Sequence, residues 1–166
     1  MNKLLVGVVL TSFAMGAQAY DAQVDIAGEV ITESCKINGS SVLPASIDVP
    51  LSAINTNALS QVGSWAQNTR FVVSLTDCPS TVNVAWTQFS NVDVETGALI
   101  NTLATGTSAQ IRVLDSKFQP IDMNNDPGVS VTTGAADLTY YGQYYAKQVP
   151  VRPGKLSTYG YISLTY

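Results

Sequence analysis

Apolar and polar residues alternate with a period of two along most of this chain, and a helical period is nearly absent. Such alternation is typical of β-strands, because successive side chains of a strand point to opposite faces of its sheet. β-Branched and aromatic residues reinforce the pattern. The predicted strands span residues 24–30, 71–75, 81–86, 109–114, 129–132, 138–148 and 159–166, and a single helical turn is expected at 51–54.

Clusters of Gly, Pro, Asn and Asp separate the predicted strands, as expected for turns. They lie at 38–39, 77–80, 91–97, 124–128 and 153–154. Several short strands with frequent turns in 166 residues predict an antiparallel β-sandwich of the immunoglobulin-like type. No internal repeat or linker divides the chain, so we predict one folded domain.

The first 19 residues have the three parts of a secretory signal peptide. Lys3 supplies the positive charge, residues 4–15 are mostly apolar, and Ala17 and Ala19 form a small-x-small cleavage site. The apolar stretch, about 12 residues long, is too short to cross about 30 Å of hydrocarbon. We therefore predict an exported protein that begins at Tyr20 after cleavage and is not inserted into a membrane.

Cys35 and Cys78 are the two cysteines of the chain. In an oxidising compartment, two cysteines most simply form one disulfide. The alternative is a catalytic thiol, but the sequence has no histidine to activate it. We therefore predict a Cys35–Cys78 disulfide.

Charge and composition exclude several classes of function. With 8 Lys and Arg against 12 Asp and Glu, the net charge is −4, so the clustered basic residues that nucleic-acid binding requires are missing. The absence of histidine excludes Ser-His-Asp catalysis and His-ligated zinc. We predict neither an enzyme nor a cofactor.

Residues 122–126 resemble the opening of a calcium-binding loop, with Asp122, Asn124 and Asp126 at alternate positions. That loop also needs Gly at its sixth position and Glu at its twelfth, where this chain has Pro127 and Thr133. A polar turn is therefore the preferred interpretation, and no metal site is predicted.

Two other groups of residues have a chemical and a structural interpretation. Asp115 and Asp122 are either a carboxylate pair or solvated turn residues, and no pattern brings them together. Trp65 and Trp86 are either the floor of a carbohydrate site or part of the core, where a sandwich commonly places a Trp.

A series of short segments identifies a family. The segments are 24–30 with Cys35 five residues further on, 71–78, 111–115, 144–146, and 151–154 leading into 160–166. In this order behind a signal peptide, the mature chain resembles the pilin subunits of chaperone–usher fimbriae, the type 1 fimbrial family. Its short segment 20–28 is most similar to that of the minor tip-fibrillum subunits FimF and FimG.

The resemblance implies an all-β fold, an incomplete immunoglobulin-like sandwich that lacks its last strand. A strand from another subunit completes it, which is a form of strand addition to a sheet edge. The implied partners are a periplasmic pilus chaperone, then an outer-membrane usher and neighbouring pilin subunits in the cell-surface fimbrium. Residues 20–30 are the implied donor-strand extension, and residues 31–166 are the implied pilin domain.

The donor strand carries alternate residues that the resemblance directs into the groove of a neighbouring subunit. These residues are Val24, Ile26, Gly28 and Val30. A glycine at this place in family members fits a narrow part of the groove, whereas a bulge or bend is its structural alternative.

The last predicted strand forms a wall of this chain's own groove and binds the chaperone, by the same resemblance. Family members carry a glycine and, twelve positions later, an aromatic residue that is usually penultimate; here these are Gly154 and the terminal Tyr166. Gly160, Ile162 and Leu164 lie at alternate positions between them.

These observations predict a structural subunit that polymerises by donor-strand exchange and contributes to bacterial adhesion. A minor or adaptor position in the fibre is expected. The alternatives are a major shaft pilin and, from a different class, a self-contained carbohydrate-binding adhesin domain.

Overall fold

The structure is a computed structural model that describes residues 34–79, 81–132 and 134–166. The predicted signal peptide and the predicted donor strand with Val24, Ile26, Gly28 and Val30 lie outside the described residues. The described elements are β1 (Lys36–Ile37), a 3-10 helix (Thr56–Leu59), β2 (Trp65–Cys78), β3 (Val82–Thr87), β4 (Gln110–Leu114), β5 (Val129–Val131), β6 (Gly134–Tyr145) and β7 (Tyr161–Thr165).

The strands form two antiparallel sheets, one with the order β1-β2-β6-β4 and the other with the order β5-β3-β7. Alternate side chains of both sheets form one hydrophobic core, to which β2 contributes Val73 and Leu75 and β3 contributes Val82 and Val84. The predicted all-β sandwich is confirmed. Period-two alternation specifies it because each strand has one face toward the core and one toward solvent.

Two strands extend well beyond their predicted starts. β2 begins at Trp65 and β6 at Gly134, whereas we predicted residues 71 and 138. The added part of β2 interrupts its alternation with a bulge between Ala66 and Thr69, where the pairing with β6 shifts register. A bulge disrupts the regular pattern on which the prediction relied.

The prediction of a helical turn at 51–54 is wrong. The turn lies at Thr56–Leu59 instead, and the Asn55 side chain caps it by accepting a hydrogen bond from the amide of Asn57 at 2.9 Å. Asn is a favoured residue at a helix N-terminus because it satisfies a free backbone amide. Within the described ranges, no helix has both the length and the apolar character needed to cross a bilayer.

Three aromatic rings lie at the centre of the sandwich. Trp86 packs edge-on against both Phe71 and Tyr140, with ring centroids 6.2 and 5.5 Å apart. Burial of its phenol raises the pKa of Tyr140 to about 12. Edge-to-face pairs are a favourable aromatic geometry, so these rings join the two sheets by specific packing.

The carboxylates considered at the sequence level belong to turns. The Asp122 carboxylate accepts a hydrogen bond from the amide of Asn124, and the Asp115 carboxylate accepts from the amides of Lys117 and Gln119. The Asp126 carboxylate accepts from the backbone of β3. No group of three or more His, Cys, Asp or Glu side chains in the described part of the chain is arranged to hold a metal ion.

A buried carboxylate fixes the loop before β4. Asp93 is 7% exposed and accepts hydrogen bonds from Lys147 Nζ at 2.7 Å, from Gln110 Nε2 at 2.8 Å and from the amides of Glu95 and Thr96. Burial alone would raise the pKa of Asp93. The hydrogen bonds outweigh it and lower the pKa from 3.8 to about 2.

We predict that Asp93 makes the free energy of unfolding decrease at acidic pH. A carboxyl group with a lowered pKa stabilises the folded state fully above its ordinary pKa of 3.8, and this contribution is lost as the pH falls through about 2. Asp93→Asn should lower the free energy of unfolding by about 1–3 kcal/mol at neutral pH. It should also reduce the loss of stability between neutral pH and pH 2, measured by urea unfolding of the full chain.

Asp77→Asn is the matched control, because the Asp77 carboxylate forms an exposed ion pair with Lys36 at 2.6 Å. Exposed pairs contribute little, about 0–1 kcal/mol. An equal effect of the two substitutions would contradict the role assigned to Asp93.

Candidate functional site

An open groove of about 1300 Å³ reaches the interior of the sandwich. Core side chains line it, among them Val73 from β2, Trp86 from β3 and Ile111 and Val113 from β4. β7 and residues 43–54 line it as well. Because the groove ends on side chains of the hydrophobic core, the two sheets leave part of that core uncovered.

β7 is paired along one edge only. It pairs with β3 from Thr87 opposite Tyr161 to Asn83 opposite Thr165, and no second strand pairs with it in the part of the chain that the structure describes. An unpaired strand edge presents N–H and C=O groups that another extended segment can bind. The groove therefore combines uncovered apolar side chains with a backbone edge ready to extend the sheet.

The side chains of β7 alternate between the groove and solvent. Ile162 and Leu164 are partly buried and pack against the core, whereas Tyr161, Ser163 and Thr165 are exposed. Ile162 lies opposite Trp86 in the ladder with β3. The structure thus brings the two aliphatic residues of the predicted groove strand together in the groove lining.

Gly160 lies beside the indole of Trp86 at the start of β7. A Cβ atom added to Gly160 would lie 2.9 Å from Cζ3 and 3.3 Å from Cε3 of Trp86, closer than side chains pack. A larger residue would displace either the indole or the backbone of β7. The glycine therefore allows β7 to approach the core side chain that lines the groove.

Gly154 has a supporting position in the segment that leads to β7. Its φ is +151°, and an added Cβ would lie 2.8 Å from the backbone nitrogen of Thr107. On either side of Gly154, the hydroxyl of Thr107 donates to the carbonyl of Arg152 at 2.6 Å, and the amide of Thr107 donates to the carbonyl of Lys155 at 3.0 Å. This close backbone contact leaves no room for a side chain and fixes the approach to the groove.

Tyr166 connects the end of β7 to the disulfide. Its hydroxyl accepts a hydrogen bond from the amide of Cys35 at 2.8 Å, and Cys35 is bonded to Cys78 at the end of β2. The predicted disulfide is thus present in the structure. The family resemblance points to Tyr166 through its spacing from Gly154, but no signal in the sequence indicates its hydrogen-bond partner.

The part of the groove lining that residues 43–54 contribute is not predicted from the sequence. This segment places Leu43, Ile47, Leu51 and Ile54 in the lining without forming a strand in the ladder. A signal was present in the prolines at 44 and 50, which have no N–H to donate and therefore occur at sheet edges.

The groove lining is mainly apolar. Of the described residues in it, Asp48 and Lys155 are the charged ones. An apolar groove beside an open strand edge can bind an extended segment, because the edge supplies backbone hydrogen bonds and the groove accepts alternate side chains. It does not provide the convergent acids, bases or nucleophiles that catalysis requires.

Comparison with known proteins gives a family match over most of the chain. Residues 24–166 match the family model described as Fimbrial protein. The chain is 32% identical over 153 residues to the major fimbrial subunit SMF-1 of Stenotrophomonas maltophilia, which covers 83% of this chain and 88% of that protein. It is 25% identical over 174 residues to the F17 fimbrial protein of Escherichia coli, covering 96% of this chain and 95% of that protein.

Solved structures share the fold. The rod subunit PapA of the P pilus matches with a TM-score of 0.58 at 21% identity, covering 80% of this chain and 98% of that one. A subunit in a structure of a chaperone–usher pilus matches with the same TM-score and identity, covering 92% of this chain and 99% of that one.

The contact between Tyr166 and Cys35 gives a prediction about stability. Tyr166→Phe removes the phenol oxygen that accepts from the Cys35 amide, so the free energy of unfolding should fall by about 1 kcal/mol. Urea unfolding of the full chain measures this change. Tyr161→Phe is the matched control, because the Tyr161 hydroxyl makes no hydrogen bond within the described residues and the ring is similarly exposed. Equal losses in the two variants would show that the hydrogen bond does not contribute.

Proposed function

The chain belongs to the fimbrial protein family, and we propose that it polymerises into a fimbria by donor-strand exchange. It is a structural subunit and not an enzyme. In the proposed assembly, residues 20–30 of one subunit occupy the groove of the subunit before it. The observation that carries the proposal is the groove beside the edge of β7 that no other described strand pairs with.

Hydrophobic burial supplies much of the driving force. The proposed donor strand carries Val24, Ile26 and Val30, and burial of each is worth about 1.5–3 kcal/mol. Together they give about 5–9 kcal/mol as an upper estimate. Backbone hydrogen bonds to the edge of β7 add about 1 kcal/mol each. These gains oppose the translational, rotational and conformational freedom that two subunits lose when they associate.

The spacing of the donor residues suits a strand that lies beside β7. Val24, Ile26, Gly28 and Val30 all have the same parity, so in an extended segment their side chains point to one face. In the proposed assembly this face covers the core side chains of the groove, as Ile162 and Leu164 do from β7.

An uncovered groove also implies a partner before assembly. A contiguous apolar surface beside an open strand edge promotes aggregation unless another chain covers it. We propose that a periplasmic chaperone covers the groove first, and that the outer-membrane usher catalyses its replacement by the next subunit. The structural similarity to a subunit of a chaperone–usher pilus supports this route to the cell surface.

The position in the fibre has two candidates. The short segment before the pilin domain favours a minor or adaptor subunit. The relative that is 32% identical is named a major fimbrial subunit, which favours a shaft pilin as the second candidate. The number of copies per fibre, measured by quantitative mass spectrometry of purified fimbriae, separates them: one or a few copies support the adaptor, and hundreds support the shaft pilin.

The groove itself is tested on β7. Ile162→Asp and Leu164→Asp should each reduce fibre incorporation of the full chain at least tenfold, because a carboxylate in the groove lining opposes the burial of apolar side chains. Ser163→Asp is the matched control, since Ser163 lies on the exposed face of the same strand. Detergent-resistant ladders in gel electrophoresis measure incorporation. Wild-type ladders in the two groove variants would refute the proposed role of β7.

The donor strand is tested by deletion. A chain that lacks residues 20–30 after export should still be recovered with a chaperone from the periplasm, because its groove is intact. Without a donor strand it should not bind the groove of the preceding subunit, so no ladder should contain it linked to a preceding subunit. A matched control replaces residues 20–23 with alanine and keeps the alternating residues from Val24 onwards, and it should assemble normally. Ladders of normal length from the deleted chain would contradict the assignment.

A further inference from the structure

A second concave surface lies on the four-stranded sheet, on the face that points away from the core. We call it the outer cleft, and it has a volume of about 440 Å³. Its direction follows from β4, where Ile111 and Val113 are core residues and Arg112 between them points to the opposite face. The lining is formed by Trp65, Asn68, Arg112, Leu114, Phe118, Pro120 and Gln143.

Arg112 is a half-buried cation without a carboxylate partner in the described residues. Its guanidinium lies over the ring of Tyr145, 4.2 Å from the ring centroid, and one terminal nitrogen donates to Oε1 of Gln143 at 3.0 Å. The described lining of the cleft contains no acidic side chain that could pair with the guanidinium. Charged side chains that leave solvent are normally paired, so this arrangement indicates an anionic ligand.

The amides beside Arg112 are held in place before any ligand binds. Gln143 is 4% exposed, and its Nε2 donates to Oδ1 of Asn68 at 2.7 Å. Because Oδ1 of Asn68 accepts this bond, the amide nitrogen of Asn68 remains to donate elsewhere. It makes no hydrogen bond with another described residue. The cleft therefore presents a fixed cation and a fixed amide donor next to each other.

Two aromatic rings border these polar groups and are unusually exposed. Trp65 is 56% exposed and Phe118 is 51% exposed, while the Phe118 ring also stacks on Tyr141 with centroids 4.4 Å apart. Exposed aromatic faces beside polar groups are common where a ligand has an apolar side and hydroxyl groups.

The backbone is strained at two places that border the outer cleft. Gln67, next to Asn68 in the β2 bulge, has a φ of +58°, and Phe118 has a φ of +60°. Such values are uncommon for residues with side chains and concentrate at functional sites. Here the strained residues place Asn68 and the Phe118 ring at the edge of the cleft.

From these features we propose that the outer cleft binds a single carboxylated sugar ring, such as a uronic or sialic acid. Arg112 holds the carboxylate, Asn68 donates to a ring hydroxyl, and Trp65 and Phe118 cover apolar faces of the ring. This proposal does not rest on donor-strand exchange. Of the two tryptophans considered for a carbohydrate site, only Trp65 takes part in it, because Trp86 lies in the core.

A sugar suits the cleft better than a carboxylate side chain of a second copy of this chain. The volume fits one ring, and an aspartate or glutamate would leave both exposed aromatic faces without a contact. A neutral sugar has no negative charge to pair with the guanidinium of Arg112. Binding measurements can distinguish an acidic sugar from a neutral sugar and from a contact between two copies of the chain.

The experiment uses fimbriae that contain the full chain and saturation-transfer NMR, which detects weak ligands of large assemblies. The probes are D-glucuronate and N-acetylneuraminate, with glucose and acetate as comparisons. We expect at least one acidic sugar to bind at least tenfold more tightly than glucose and acetate. Arg112→Gln should remove the preference for the acidic sugar over glucose, and Trp65→Ala should weaken its binding at least fivefold. Arg70→Gln is the matched control, because Arg70 is an exposed arginine of β2 outside the cleft.

Three outcomes would overturn the proposal. The first is no saturable binding of either acidic sugar by wild-type fimbriae. The second is equal affinity for acetate and the acidic sugars, which would indicate a site for an anion only. The third is unchanged sugar binding in Trp65→Ala together with weakened association between subunits in Arg112→Gln, which would assign the cleft to a contact between copies. If Arg112→Gln fails to fold, Trp65→Ala and the comparison of probes still decide the matter, because Trp65 is exposed.

Discussion

The edge of β7 that no other strand pairs with among residues 34–79, 81–132 and 134–166 is the constraint on which the rest of the structure depends. β3 forms backbone hydrogen bonds with one edge of β7, and the other edge borders the groove, which is lined by side chains of the hydrophobic core. A backbone edge alone would attract any extended chain, and an apolar groove alone would attract any hydrophobic surface. Together they suit an extended segment with alternating apolar side chains better than either an arbitrary extended chain or an arbitrary hydrophobic surface.

Several contacts keep the groove open and in shape although its interior is incomplete. The disulfide joins Cys35 to the end of β2, and Tyr166 ties the end of β7 to the same point. At the other end, the backbone contact between Gly154 and Thr107 fixes the segment that enters β7. These contacts fix β7 at both of its ends. The strand therefore keeps its position beside the groove without a neighbouring strand on its open edge.

The sequence predicts much of this arrangement because alternation and spacing are local properties. The alternation along residues 159–166 predicts the last strand, and the family resemblance places Ile162 and Leu164 in its groove. The oxidising compartment predicts the cysteine pair. The groove lining at 43–54 was missed because prolines interrupt the pattern there. The sequence does not show which tryptophan is buried and which is exposed. The face that the Trp65 indole occupies depends on the bulge in β2 and on the register of β2 with β6. That register is set by contacts between residues far apart in the sequence.

Because the two tryptophans have different surroundings, their intrinsic fluorescence distinguishes two surfaces of the chain. Trp86 is 8% exposed and lies at the groove, beside the glycine that lets β7 approach it, whereas Trp65 stands on the outer face of the other sheet. An indole in an apolar environment emits at shorter wavelength than one in water. Trp86 should therefore emit at shorter wavelength than Trp65, so the two indoles distinguish the groove from the outer face of the other sheet. Both surfaces can be observed in one unlabelled sample.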